Sequence, residues 1–167
     1  MLVRRFNNFK DFAKLLTRIS EEYPRYEHAF LNQTGHYLAD FSKSLIGHLQ
    51  HGGMAIPDWK ELAPATKKDK TDKGYVFNSE FNPLFRTGDL MNSISYSVVQ
   101  HTVYIGSDDP VAVYQEMGVP EKNLPARSFL GLAMYKNKLT LEHALGDFLL
   151  KWITYRPPIF DIKKMPT

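Results

Sequence analysis

Phe9, Phe12, Leu16, Ile19, Tyr23, Tyr26, Phe30, Tyr37, Phe41, Leu45 and Leu49 recur at three- and four-residue intervals, with Thr34 holding the one polar place on the stripe. Such spacing puts one apolar face along a helix that spans the first third of the chain, and that face must be covered by something. Pro24 interrupts it. A proline has no N–H to donate and disfavours helical geometry at the residue before it, so the sequence predicts a kink or a break, with Pro24 opening a second helix: two helices rather than one. Gly52-Gly53 is expected to end the pattern by relieving the left-handed terminal turn.

With 167 residues, 43% of them hydrophobic and 23% charged, the chain is expected to form one folded domain over residues 1–155, followed by a tail over residues 156–167. No apolar run approaches the roughly 18–20 residues of a membrane helix, and Met1-Leu2-Val3-Arg4-Arg5-Phe6 leads into Asn7 and Asn8 instead of a signal-peptide core. Without cysteine, a disulfide framework and a thiolate zinc site are both excluded. The net charge of +3 is a mild bias toward acidic partners, concentrated most visibly in Lys67, Lys68, Lys70 and Lys73. Asp69, Thr71 and Asp72 interrupt the lysines, which reads as a solvated loop before it reads as a phosphate-contacting one.

Periodicity disappears over residues 53–84, where Pro57, Pro64, Gly74 and Pro83 punctuate polar sequence; this predicts a long loop, pinned by Trp59 and loose around the lysines. Ile94, Tyr96 and Val98 alternate with serines, and Val103 and Ile105 with Thr102 and Tyr104, which predicts two antiparallel strands. Gln100-His101 is a poor type I′ turn, so the reversal is expected to be longer or bulged. Thr87 or Asp89 is placed to cap a short helical turn before the first strand. Residues 111–117 read as a short helix or turn. A final helix is expected from Thr140, with Leu141, Leu145, Phe148, Leu149 and Trp152 as its stripe and Pro157-Pro158 as its stop. The fold class is α+β: N-terminal helices and a C-terminal helix packed on a small antiparallel sheet, with the long loop between helices and sheet.

Catalytic constellations are incomplete. Gly106-Ser107-Asp108 lacks the second glycine of a nucleophile elbow. His48 and His51 lie three apart, with His36 nearby, but no His-Glu-x-x-His run accompanies them, and histidines at a helix end suit its dipole without a metal. Asp108-Asp109 before Pro110 reads as a turn. No glycine loop for a nucleotide appears, so no cofactor is expected.

Two blocks of sequence remain. Trp59-Lys60-Glu61-Leu62-Ala63-Pro64-Ala65-Thr66-Lys67 is followed by Leu84-Phe85-Arg86-Thr87-Gly88-Asp89-Leu90, Ser93-Ile94, Val103-Tyr104-Ile105-Gly106-Ser107, Tyr114-Gln115-Glu116-Met117-Gly118 and Pro125-Ala126-Arg127-Ser128-Phe129-Leu130. In that order and spacing, residues 57–129 resemble the bacteriophage virion-morphogenesis (tail-completion) family and the related tail-component proteins. The resemblance implies a small non-enzymatic α/β protein of the virion, assembled in the bacterial cytoplasm, that completes the tail or neck and joins head to tail as a ring. Its implied partners are tail-tube, tail-terminator or head-connector proteins and further copies of itself, with transient passage of DNA and no membrane. Two other classes stand beside it: a basic nucleic-acid-binding module using the lysine loop, and a small hydrolase whose His and Asp residues meet only on folding.

Within these blocks Gly88, Gly106 and Gly118 read as backbone devices, and Leu84, Leu90, Ile94, Val103, Ile105 and Phe129 as core. Thr87 and Pro125 complete the structural motif. Trp59, the four lysines, Tyr114, Glu116 and Arg127 are the candidate assembly residues. Arg127 follows Pro125-Ala126 in an extended segment and is expected to pair with a carboxylate such as Glu116, within one subunit or between neighbours. The sequence departs from the family in two places. Gln115-Glu116-Met117-Gly118 stands where many members have histidine-glutamine-phenylalanine-glycine, its glutamate being closer to the tail-component group, and Ser128 follows the arginine where proline is common.

Overall fold

A single helix, α1, runs from Phe9 to Leu45 in the computed structural model, which describes residues 8–76 and 81–154. Asn8 caps it by accepting the Asp11 N–H at 2.9 Å. Pro24 lies inside this helix, so the expected division into two helices is not what forms. An interior proline costs about 3 kcal/mol. Rings on both sides of it offset that cost: Tyr23 and Tyr26 lie 5.7 and 5.2 Å from the Trp152 ring, and Phe30 stacks on Phe148 at 4.8 Å. The second half of α1 ends earlier than Gly52-Gly53 suggested. Ile46 leaves helical geometry, and Gly47 takes φ 97° and donates its N–H to the Pro83 carbonyl.

The partner of those rings is the last helix, α5 (Leu130–Ile153), which runs antiparallel to α1: Tyr23 meets Trp152, Phe30 meets Phe148, and the Tyr37 hydroxyl donates to Asn137 Oδ1. It begins ten residues before Thr140. Its buried side is Leu132, Ala133, Asn137, Ala144, Phe148 and Trp152, whereas Leu145 and Leu149 from the expected stripe are exposed. At the other end of the pair, Phe9, Phe12 and Leu16 are exposed, because α1 continues beyond the last described turn of α5. Pro157-Pro158 and the tail over residues 156–167 lie outside the described residues.

Residues 53–84 are not one loop. Helix α2 (Pro64–Asp72) sits within them, opened by Pro64 at its first position, where a missing N–H costs nothing. Helix α3 (Asp89–Ser93) then leads directly into strand β1 (Ile94–Val99), which pairs antiparallel with β2 (Thr102–Ser107). The cap of α3 is Gly88 itself at φ 97°, while Thr87 hydrogen-bonds Asp89 instead of capping. Contrary to the expected bulge, Val99 pairs with Thr102, so Gln100-His101 is a tight two-residue turn, with Gln100 at φ 53°. A non-glycine residue in that region carries strain. The His101 ring bonds Glu27 of α1 at 2.8 Å, which holds the turn down.

The architecture is α+β, with α1 packed beneath both strands and α5 packed on α1. Gly35 permits the close approach of α1 to β1, since a Cβ there would lie 2.3 Å from the Tyr96 ring. Leu45, Ile46, Trp59, Leu90, Ile94, Ala112, Phe129 and Leu132 form the main core, with Leu84 and Ile105 partly buried against it and Val103 half-buried. Gly106 has no structural need to be glycine: its φ is ordinary and a Cβ would meet open space. No described helix is long and apolar enough to cross a membrane.

Candidate functional site

After β2, Asp109 opens helix α4 (Pro110–Met117) by accepting the Val111 N–H at 2.8 Å, so Asp109 is a capping residue. Ala112 faces the core. The outer side carries Val111, Val113, Tyr114 and Met117, which are 45%, 64%, 53% and 74% exposed. An uncharged ridge of this kind on a short helix is unusual, because exposed surface normally disperses large apolar groups among charges. Gly118 ends α4 at φ 73°, and a Cβ there would lie 2.7 Å from the Ala126 nitrogen, so only glycine fits.

Glu116 and Arg127 are both central, but they do not pair. The Glu116 carboxylate points inward and takes four hydrogen bonds: the Ser128 hydroxyl at 2.5 Å and the N–H groups of Phe129, Leu130 and Gly131 at 2.8, 3.0 and 2.8 Å. It is thus the N-terminal cap of α5, delivered from another helix, with a negative charge at the positive end of the helix dipole. Ser128 supplies one of those donors.

Arg127 is 4% exposed and turns the other way. Its Nε and Nη2 donate to the Lys60 carbonyl at 3.2 and 2.9 Å, and Nη2 also donates to the Glu61 carbonyl at 3.2 Å. Burial lowers the pKa of the guanidinium from its ordinary value. A carboxylate pair fails here because α5 already claims both oxygens of Glu116, while the irregular segment at residues 59–61 presents carbonyls that need donors. Trp59, buried as expected, adds a parallel stitch from its Nε1 to the Ser128 carbonyl at 3.2 Å. The Arg127 N–H donates to the Gln115 carbonyl at 2.6 Å. Residues 125–128 are therefore bolted to α4 on one side and to residues 59–61 on the other.

The lysines are also reassigned. Lys67 pairs with Glu61 at 2.7 Å, and Lys73 with Asp69 at 2.5 Å, where Arg86 joins at 3.0 Å. The hydrogen bond from Lys67 and that from Lys73 hold Glu61 and Asp69 below their ordinary carboxylate pKa. Lys68 is exposed. Lys70 is buried, and its ammonium donates to the carbonyls of Asn82 and Phe85, closing the excursion between α2 and α3. The block is a largely neutralised helix, not a basic loop.

Lys70 has a pH signature. Desolvation, with Arg86 nearby, lowers its pKa from 10.5. The folded chain then releases this proton at lower pH than the unfolded chain, so stability rises with pH between the depressed value and 10.5. A Lys70→Met variant loses two carbonyl contacts, a deficit of about 2 kcal/mol. Because it also lacks the alkaline gain, its deficit relative to the parent is expected to widen as pH climbs toward 10.5; urea titrations in which the gap narrows would sink this account.

These elements enclose a cleft of about 900 Å³ between α2, the turn before α3, and α4 with the segment that follows it. Lys70, Thr87, Gly88, Leu90, Gly118, Pro125 and Arg127 line it, so residues distant in sequence converge on one place. Ile94, Phe129 and Trp59 support it from the core. Met117, Val111 and the Lys60 and Glu61 carbonyls belong to the site and escaped the sequence reading; the run Pro110-Val111-Ala112-Val113 without a charge was the available signal. The Gln115 Oε1 is buried on the cleft wall with no hydrogen-bond partner among the described residues.

Two of these histidines take carboxylate partners: His51 meets Asp58 at 3.1 Å and His36 meets Asp40 at 3.0 Å. Ser107 bonds Ser93 and the Asp109 N–H. Among the described residues no group of three His, Cys, Asp or Glu side chains is placed to hold a metal. No protein-family pattern, curated protein or solved structure matches this chain.

Proposed function

We propose that this chain is a structural subunit of a tailed phage or prophage particle, completing the tail or neck and joining head to tail as a ring. The observation that carries this reading is the convergence on one cleft. Thr87, Gly88, Leu90, Gly118, Pro125 and Arg127, six of the residues on which the resemblance rests, line a single surface bordered by the uncharged α4 ridge. Their side chains and turns shape a docking face. Closed rings need heterologous contacts, so each subunit must present two different complementary patches. The ridge of Val111, Val113, Tyr114 and Met117 is one of them, with the large, poorly hydrated side chains that dominate binding energy at interfaces. The proposed site of action is the virion, after assembly in the bacterial cytoplasm.

The test uses mass photometry of the full chain alone and with tail tubes purified from particles of the same genome. A discrete ring-sized species is expected on the tubes, and Met117→Glu should abolish it while leaving the unfolding midpoint unchanged, because Met117 is 74% exposed. A parent protein that stays monomeric with the tubes present would overturn the proposal.

A further inference from the structure

The helical layer is wider than the sheet that covers it. Helix α1 underlies both strands, whereas α5 makes its main contact with α1, and only Leu132 and Ala133 at its start share the core with Ile94 of β1. Packed helices sit about 8–10 Å apart and paired strands about 4.8 Å apart, so α5 has uncovered room for one or two further strands next to β2. That room is a groove of about 570 Å³, bounded by β2, by Leu31, Thr34 and Leu38 of α1, and by Met134 and Leu141 of α5. Leu145 and Leu149 extend the same exposed side of α5.

Three features of the groove describe what fits it. First, β2 has no second neighbour among the described residues, so alternate residues turn an N–H and a C=O toward the groove. Edge strands are usually protected by a lysine, a proline or a bulge. The β2 sequence Thr-Val-Tyr-Ile-Gly-Ser contains none of these residues, and its register with β1 is unbroken. Second, Thr34 Oγ1 is buried on the groove floor without a hydrogen-bond partner among the described residues. Third, the lining has no aspartate, glutamate, lysine or arginine, and its one histidine, His101 at the hairpin end, is already held by Glu27.

We infer that the groove is a strand-addition site: an extended segment of another protein, uncharged on its inward face, pairs with the edge of β2 turned away from β1 and lies over α5. A row of backbone donors and acceptors is satisfied by extended chain and not by a helix, and the apolar floor rejects charge. A second copy joined through its own β2 fits poorly, because its α1 lies beneath that strand and would enter the space that α5 fills. This surface is distinct from the α4 cleft, and its occupant does not depend on what the α4 ridge meets.

The probe is a synthetic peptide of alternating threonine and valine with a lysine at each end, titrated into the full chain with labelled amides and methyl groups. Nuclear magnetic resonance should show shifts and slowed exchange at alternate β2 amides, together with shifts of the Met134 and Leu141 methyls. A peptide with proline at its centre should not bind. Met134→Glu, a change at a half-exposed position that leaves the fold intact, should weaken binding about tenfold or more by placing a charge under the strand. Shifts confined to the α4 cleft, equal binding by the proline peptide, or no β2 response at millimolar peptide would overturn the inference. So would concentration-dependent dimers in sedimentation that occupy the same edge, since a second copy would then be the occupant.

Discussion

Replacing Glu116 by alanine is expected to lower the unfolding free energy by about 3–4 kcal/mol, the largest effect of any single charged residue here. Hydrogen bonds to a charged group are worth about 1.5–3 kcal/mol each, but the four at Glu116 share one carboxylate and are not additive. Alanine leaves three N–H groups of the first α5 turn and the Ser128 hydroxyl without their acceptor. Gly131 offers a backbone flexible enough to fray once the carboxylate is gone, and a Cβ at that position would already press on Ser128 and Glu116. Glu116→Gln keeps one acceptor oxygen and turns an NH₂ toward donors, so roughly half the loss is expected. Urea unfolding measures both, and hydrogen exchange localises the cause: amides 129–131 should exchange faster in the alanine variant while amides of α1 near Leu38 respond only through global stability. A loss below about 1 kcal/mol would mean that water replaces the carboxylate and that the start of α5 rests on packing alone.

The same tertiary cap explains why the start of α5 was hidden in the sequence. Phe129 has no side-chain cap of its own, Gly131 resembles a breaker, and the group that begins the helix lies thirteen residues upstream of Phe129. Local rules can find Asn8 and Asp109, whose side chains cap their own helices, and cannot find Glu116. Periodicity located α1 because its stripe is long; it misjudged Pro24 because the aromatic contacts that hold the helix through it come from Phe148 and Trp152. Alternation revealed β1 and β2, yet it did not show the tight turn at Gln100, beside which the His101 ring bonds Glu27 of α1. Lys70 read as solvent-facing because charge patterning says nothing about carbonyls twelve and fifteen residues away. At the candidate site, Trp59, Glu116 and Arg127 were recognisable as unusual residues. Their partners were not, since all three bind main-chain groups whose position only the fold sets.

Arg127→Ala is expected to cost about 3 kcal/mol, because it removes three hydrogen bonds, opens a void at a 4% exposed position and strips the Lys60 and Glu61 carbonyls of their donor. Arg127→Lys should recover less than half of that loss. A single ammonium on a flexible stem can satisfy one carbonyl well, but not two through a planar fork. Trp59 reports the consequence directly, since its indole bonds the carbonyl of the next residue, Ser128. In a Trp152→Phe background, Arg127→Ala should shift the remaining tryptophan emission to longer wavelength before global unfolding, as residues 59–61 loosen from residues 127–128. The measurement also separates two roles. If Arg127 acts across a subunit boundary, the isolated variant keeps the stability and emission of the parent and fails only in ring assembly. If it acts as a bolt within one subunit, as its carbonyl partners indicate, stability and emission change in the isolated protein, and assembly declines because the cleft beneath the α4 ridge has lost its wall. Met117→Glu is the complementary case: an exposed ridge residue whose replacement should leave the fold unchanged and block assembly. Opposite outcomes for the two variants would place the bolt on the surface and the ridge in the core of the function, and the cleft would have to be reinterpreted as packing.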